Sequence, residues 1–161
     1  MDKLIVGLLA TGLSACSAAV STTPSASAAN KTLARRAFAE ILSQGHFERA
    51  AELYAPDFVN HGLHRDVSLA EDQAAARGWK QAFPDLAYDI QMLVAEGDAV
   101  AVLWIGHGTN TGIGNGLPAT GKKGTLRGVT IWRIVDGKIH DEWSEFDSAS
   151  LAQQLGLTPS P

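Results

Sequence analysis

The sequence predicts an α+β fold in which a curved antiparallel sheet wraps on about three N-terminal helices. Three observations carry this. Apolar residues recur at helical spacing as far as Phe83, the period falls to two beyond Pro84, and the period-two segments follow one another without intervening helices. A length of 161 residues corresponds to about one domain. The 13 Lys+Arg against 17 Asp+Glu leave a net charge of −4, which argues against the basic face that nucleic acid requires. A single cysteine excludes an intrachain disulfide and zinc sites of the multi-cysteine kind. No apolar run reaches the ~18–20 residues needed to span a membrane.

The chain opens on Leu4–Leu13, an apolar run of signal-peptide length preceded by Lys3. It runs into Leu13-Ser14-Ala15-Cys16, which resembles the lipobox of bacterial lipoproteins. That resemblance implies a signal peptide over 1–15 and lipidation of Cys16 as the first mature residue. It also implies an exported, membrane-anchored protein, periplasmic or at the cell surface. Residues 16–30 are small, polar and aperiodic and predict a flexible tether, whose coil from Ser17 to Asn30 would span roughly 20 Å.

The domain is expected over 31–157, with a short tail over 158–161. Leu33, Ala34, Ala37, Phe38, Ile41 and Leu42 share a helical face, with Asn30 as candidate N-cap and Gly45 as candidate C′ residue. A second short helix fits His46–Tyr54, stopped before Pro56. A third begins at the capping box Ser68-Leu69-Ala70-Glu71, presents Leu69, Ala76, Trp79 and Phe83 on one face, and ends at Pro84.

Leu86–Ala95 and Ala99–Thr109 read as strands joined at Glu96-Gly97-Asp98. Gly124–Ile134 and Lys138–Phe146 read as a second pair joined through Val135-Asp136-Gly137, and a short helix follows from Ser148 to Gln154. Between the pairs, Gly116–Lys122 imitates a phosphate-binding loop. Lys123 stands where that loop needs Ser or Thr, and a strand follows where it needs a helix. The glycines from Gly106 to Gly116 instead predict a long, tight connection.

Several stretches, in this order and spacing, resemble the SnoaL-like polyketide cyclases (ester cyclases) of the NTF2-like superfamily. They are Asp57-Phe58-Val59-Asn60-His61, Phe83-Pro84-Asp85-Leu86, Glu96-Gly97-Asp98, Gly108-Thr109-Asn110-Thr111-Gly112, Leu117–Lys122, Asp136-Gly137-Lys138-Ile139 with Trp143 and Asp147, and Gln153–Gly156. The resemblance implies a cone of helices against a strongly bent sheet, enclosing an apolar cavity. It further implies intramolecular aldol ring closure driven by an acidic side chain, with no metal and no organic cofactor. The sequence departs from the family at three places. Ser144 stands where the catalytic aspartate usually follows the tryptophan of the last strand, Thr130 where a histidine is frequent, and Asn110 where the glycine-threonine motif often continues with histidine.

The last hairpin admits two registers. A two-residue Asp136-Gly137 turn pairs Val135 with Lys138; a three-residue loop with a bulge pairs Ile134 with Lys138. The second is preferred because it sets Arg127 opposite Glu145. It also places Thr130, Trp132, His140, Glu142, Ser144 and Phe146 on the cavity face. Glu142 is then the candidate general acid or base, desolvated between Trp132 and Phe146, unless it sits hydrated at the rim. The resemblance places His61 near the pocket as a second candidate catalytic group; the alternative is a histidine hydrogen-bonded at a turn. His61, His64 and Asp66 make only a weak metal constellation, and no metal site is assigned. Trp104 and His107 lie on opposite faces of one strand, so one of them sees the cavity. Together with Thr130, Trp132, Ser144 and Phe146 they form the candidate substrate-binding set. Asp147 matches a family aspartate and also suits a helix N-cap.

The other face of the hairpin carries Val129, Ile131, Ile139 and Trp143, which predicts a homodimer through that surface. Two functional readings remain open. One is a cofactor-free cyclase, isomerase or lyase for a small apolar carbonyl compound. The other is a non-catalytic, lipid-anchored binding or envelope-assembly module. Both imply a small apolar ligand, no nucleic acid, and membrane contact only through the anchor. Cys16→Ser should move the protein from the membrane to the soluble fraction or leave it unprocessed. Membrane retention with no mass shift on the native N-terminus would exclude lipidation.

Overall fold

The computed structural model describes residues 25–157. The signal segment, the lipidation site Cys16 and the first part of the tether lie outside the described residues. Helix α1 spans Ala26–Arg36 and is capped by Ser25, whose hydroxyl accepts from the Ala28 amide at 3.3 Å. It thus starts ahead of the expected Asn30 cap and takes up the last residues assigned to the tether. Asn30 is inside the helix and donates its amide to the Gly97 carbonyl at 3.3 Å, tying the helix to the turn after the third strand. Residues Ala37–Ser43 continue as a wider π-helix, stabilised by Ser43 Oγ donating to the Phe38 carbonyl at 2.8 Å. Gly45 ends it at φ 77°.

The expected second helix is shorter than its sequence window. A 3₁₀ turn over Phe47–Arg49 leads into α2 (Ala50–Leu53), and Tyr54 already opens strand β1 (Tyr54–His61). Strand β2 (Asp66–Ser68) pairs antiparallel with it. Helix α3 (Leu69–Ala82) carries the capping box as expected, and β3 (Ala87–Glu96), β4 (Ala99–Thr109), β5 (Lys123–Val135), β6 (Lys138–Phe146) and α4 (Ser148–Leu155) complete the domain. Asp147 caps α4 by accepting from the Ser150 amide at 3.0 Å.

The six strands form one curved, unclosed sheet in the order β2-β1-β6-β5-β4-β3. It is mixed rather than wholly antiparallel, because β1 runs parallel to β6. Helix α3 and four strands separate these two in sequence, and that long crossover delivers β6 beside β1 in the same direction. Strand β1 bulges between Tyr54 and Val59, where Pro56 offers no amide for the ladder.

The β5–β6 hairpin corrects the preferred register. Asp136 and Gly137 both adopt positive φ, 49° and 73°, and close a two-residue turn that pairs Val135 with Lys138 and Ile134 with Ile139. The ladder then gains one residue on β6: Arg133 pairs with Asp141, Trp132 with Glu142, Thr130 with Ser144 and Gly128 with Phe146. Val129, not Arg127, therefore faces Glu145. His140 is the extra residue and leaves the cavity face, its Nδ1 lying 3.2 Å from the Asp57 carboxylate. Ile139 faces the core, fully buried, and not the outer surface. The outward apolar set is instead Val129, Ile131 and Trp143, continued by Met92 and Val94 on β3.

The core joins Phe38 and Ile41 to Leu53, Tyr54, Phe58, Val100, Val102, Trp104, Trp132, Ile134 and Ile139. A second cluster of Phe83, Leu86, Leu151 and Leu155 packs α4 against the segment that follows α3. The connection from Thr109 to Lys123 packs on α3 so closely that a Cβ on Gly112 or Gly114 would lie 1.9 or 2.0 Å from a helix carbonyl oxygen. Asn110, wholly buried, holds it. Its amide donates to the carbonyls of Ala82 and Gly112 at 3.1 and 3.2 Å, and its oxygen accepts from the Thr120 amide and hydroxyl at 2.9 and 2.8 Å.

Candidate functional site

A cavity of about 310 Å³ lies between the concave face of the sheet and the helices. Its walls are mostly aromatic. Phe38 meets Trp132 at a centroid distance of 5.3 Å, Tyr88 meets Trp104 at 5.3 Å, and Trp79 meets Phe146 at 6.1 Å at the half-exposed rim. These residues converge because β4, β5 and β6 each send alternate side chains inward, as Trp104, Thr130, Trp132, Glu142, Ser144 and Phe146. A volume of this size suits a small ligand.

Polar groups are few and mutually satisfied. Trp104 Nε1 donates to Thr130 Oγ1 at 3.0 Å, and Thr130 Oγ1 and Ser144 Oγ share a hydrogen bond of 2.7 Å. Trp132 Nε1 donates to Glu142 Oε2 at 2.7 Å. The Asn60 amide nitrogen donates to Asp72 Oδ1 at 2.9 Å and reaches Glu142 Oε1 at 3.4 Å. Two carboxyl groups thus meet across one amide in an aromatic cavity. Among the described residues that line it there is no lysine, arginine or histidine.

Burial pushes the Glu142 carboxyl up to about 8, the neighbouring Asp72 charge adds to this, and the Trp132 hydrogen bond opposes it. Burial also raises Asp72, against the hydrogen bond from Asn60. Tyr54 rises well above the ordinary phenol range, by burial first and then by the charges of Glu142 and Asp72. Tyr88 is raised by burial and by Glu142. Both phenols stay neutral. At neutral pH Glu142 is a carboxylic acid and can give a proton to a ligand oxygen.

The structure places Glu142, Trp104, Thr130, Trp132, Ser144 and Phe146 together on the cavity wall. It separates His61 and His107 from them. Asn60 faces the cavity, so its neighbour His61 faces outward. The imidazole there stacks on Trp143 at 4.6 Å and lies between Asp141 and Asp66, with Nε2–Oδ1 2.8 Å and Nδ1–Oδ1 3.2 Å. The Asp141 contact holds its pKa above the usual value, against desolvation, with Asp66 adding to the rise. This corrects the expectation that His61 lies by the pocket. The His107 ring likewise points outward and stands half-exposed beside Asp89, with Nδ1–Oδ2 at 3.5 Å. His64 is exposed, and among the described residues no group of three or more His, Cys, Asp or Glu converges on a metal position.

Sequence reasoning missed Asp72, Asn60, Tyr54 and Tyr88. For Asp72 a signal existed. It stands three residues after Leu69, four before Ala76 and seven before Trp79, on the apolar stripe of α3 that faces the sheet. Asn60 offers no such signal, because its inward direction depends on the irregular pairing of β1.

A family model for SnoaL-like polyketide cyclases matches residues 32–155. Among solved structures, the chain is similar to a candidate polyketide cyclase from Acidithiobacillus ferrooxidans, with 28% identity over 84% of this chain and 100% of that one and a TM-score of 0.70. It is similar to AclR, a candidate hydroxylase from Streptomyces galilaeus, with 27% identity, 81% and 87% coverage, and a TM-score of 0.73. A candidate SnoaL-like polyketide cyclase from Jannaschia sp. CCS1 shares the fold, with a TM-score of 0.76 at 20% identity, over 86% of this chain and 99% of that one. No curated protein matches the chain.

A buried acid whose pKa is raised makes stability depend on pH with a fixed sign. The folded state keeps a proton that the unfolded state releases, so stability is full below the ordinary carboxyl pKa of 4.5 and falls as pH rises to about 8. The slope is at most about 1.4 kcal/mol per pH unit. Glu142→Gln should abolish this fall, matching wild type at pH near 5 and melting higher at pH above 8. Thermal melts of both proteins across that range provide the check; a flat wild-type profile would exclude a protonated, buried Glu142.

Proposed function

From the premise that the chain belongs to the SnoaL-like polyketide cyclase family, we propose that it binds a small, mostly apolar carbonyl compound in the cavity and promotes its acid–base cyclisation or isomerisation. The observation that carries this reading is the Glu142 carboxyl, lodged on the cavity wall with Trp132 as donor and no cation beside it. A carboxylic acid kept neutral in an apolar site donates a hydrogen bond to a carbonyl oxygen and can transfer the proton as charge develops there. Glu142 is two residues from Ser144 on the same strand face, so an acid is displaced by roughly 7 Å from the family's usual position. The fold alone does not choose a reaction.

A second reading has its own observation. Thr130 and Ser144, which replace the family's histidine and aspartate, hydrogen-bond to each other and to Trp104. This closed set of hydroxyls suits a cavity that only holds its ligand. In either case we assign Cys16 as a lipid anchor on an exported protein, on the strength of the Leu13–Cys16 motif.

A second copy of this chain is the proposed partner of the outer sheet face. Val129, Ile131, Trp143, Met92 and Val94 are exposed there, flanked by Arg127 and Arg133 and by Asp141 and Glu145. Under a two-fold axis Arg127 of one copy meets Glu145 of the other while the apolar residues are covered. Size-exclusion chromatography with light scattering should give a dimer for wild type and a monomer for Trp143→Glu; a wild-type monomer at micromolar concentration would refute this arrangement.

The ligand reading is tested with 2-tetralone, an apolar bicyclic ketone, by quenching of the cavity tryptophans. Wild type should bind it saturably, and affinity should fall about tenfold as pH rises from about 6.5 to about 9 and the donor is lost. Glu142→Gln should bind with no pH dependence over that range. Absence of saturable quenching, or pH-independent binding by wild type, would overturn the reading.

A further inference from the structure

Glu142 does not face the cavity alone. Asp72 projects into the same space from the first turns of α3, and one Asn60 amide nitrogen lies 2.9 Å from its Oδ1 and 3.4 Å from Glu142 Oε1. Two carboxyl groups held this close in an aromatic enclosure repel each other when both are ionised. Nothing on the wall relieves them. The titratable groups that face the pair from the packed elements are Tyr54 on β1 and Tyr88 on β3, both neutral, and the indole N–H of Trp132 on β5 is a donor without charge. The pair therefore settles at one proton.

The surroundings also decide which group holds it. Asp72 receives the shorter Asn60 hydrogen bond and sits at the N-terminal end of α3, where amide dipoles favour an anion. Glu142 stands within a strand rather than in a helix's first turn, and its close donor is the uncharged indole N–H of Trp132 at 2.7 Å. Two acids that share one proton supply one base and one acid to the same ligand.

We propose that Asp72 is a second catalytic residue, a general base that works with the acid Glu142 as a singly protonated pair to enolise a carbonyl substrate. This rests on the ligand reading given above. Asp72 removes a proton from the carbon next to the carbonyl while Glu142 gives its proton to the carbonyl oxygen. The C–H electron pair becomes the new C=C bond and the C=O π pair becomes the O–H bond. The pair has then exchanged roles: Asp72 is the acid and Glu142 the carboxylate. When the enol carbon attacks a second carbonyl of the same molecule, Glu142 recovers the enol proton and Asp72 protonates the new alkoxide. When the enol is reprotonated at a different carbon, the outcome is an isomer. Both routes return the pair to its starting state without an external proton, oxidant or reductant.

The full chain is tested in two ways. In D₂O, exchange of the α-protons of 2-tetralone is followed by proton NMR across pH. Wild type should show a bell-shaped profile, and Asp72→Asn and Glu142→Gln should each lose about 10²–10⁴-fold. The double variant should be no slower than either single one, because the two residues act as a unit. Separately, infrared absorption of the protonated carboxyl reports the titration of Glu142 without any ligand. Asp72→Asn should shift that titration to lower pH by removing the facing charge; Asp72→Ala repeats the comparison if the asparagine variant does not fold. Exchange by Asp72→Asn within about threefold of wild type, or an unmoved Glu142 titration, would overturn the role of Asp72 and leave the Glu142 reading standing. Full exchange activity in Glu142→Gln would overturn both. A wild-type protein that binds 2-tetralone but never exchanges it would overturn the pair as a catalyst while retaining the cavity as a binding site.

Discussion

One extra residue in β6 governs the interior. On either side of His140 the strand shows opposite faces to the core, so Ile139 and Glu142 both point inward although three positions separate them. A regular strand would offer only one of the two. With Ile139 inward, Glu142 would lie in solvent; with Glu142 inward, the core beside Ile134 would lose the Ile139 side chain. The bulge also turns Asp141 outward, where it binds both His61 and Arg133. The outer cluster and the inner acid are two results of a single insertion.

That insertion marks the limit of what the sequence discloses. The α+β class, the capping box at Ser68, the β4 and β6 limits and the last helix all follow from local periodicity and local capping chemistry, and the structure repeats them. The hairpin register does not follow. A cross-strand pair of Arg127 with Glu145 outweighs, on paper, a turn in which Asp136 takes positive φ. In the molecule the turn wins, because aspartate tolerates that conformation and the bulge restores the alternation further along. The inward set survived the wrong register for a simple reason: shifting the ladder by two positions preserves parity, so Glu142, Ser144 and Phe146 kept their side while His140 and Ile139 exchanged theirs.

The candidate site divides in the same way. Residues on regular strands could be assigned a face by counting, and Trp104 opposite His107 is such a case. Residues on the irregular first strand could not. Asn60 faces in and His61 faces out because β1 bulges through Pro56 between its two stretches of pairing with β6, and no pattern in Asp57–His61 signals that. Asp72 was legible but unread, an acid in a helical apolar stripe beside a capping box that accounted only for Glu71. The separation of roles along this turn is physical. Glu71 bonds to the cap and is held at about 2, while the next residue is turned to the cavity and raised by burial.

The buried Asn110 has an effect beyond fastening its loop. All of its amide bonds are spent on the connection and on α3, and it sends no group into the cavity. The two carboxyl groups of the cavity lie together on the wall formed by β6 and α3, whereas the hydroxyls of Thr130 and Ser144 are bonded to each other and to Trp104. Acidity in this enclosure is therefore one-sided. On the proposed reading, a guest with several carbonyls would be sorted by which of them reaches Asn60 and Glu142. Regiochemistry would then follow how far each carbonyl stands from the apolar end of the guest, a ruler of length rather than a pattern of recognised substituents.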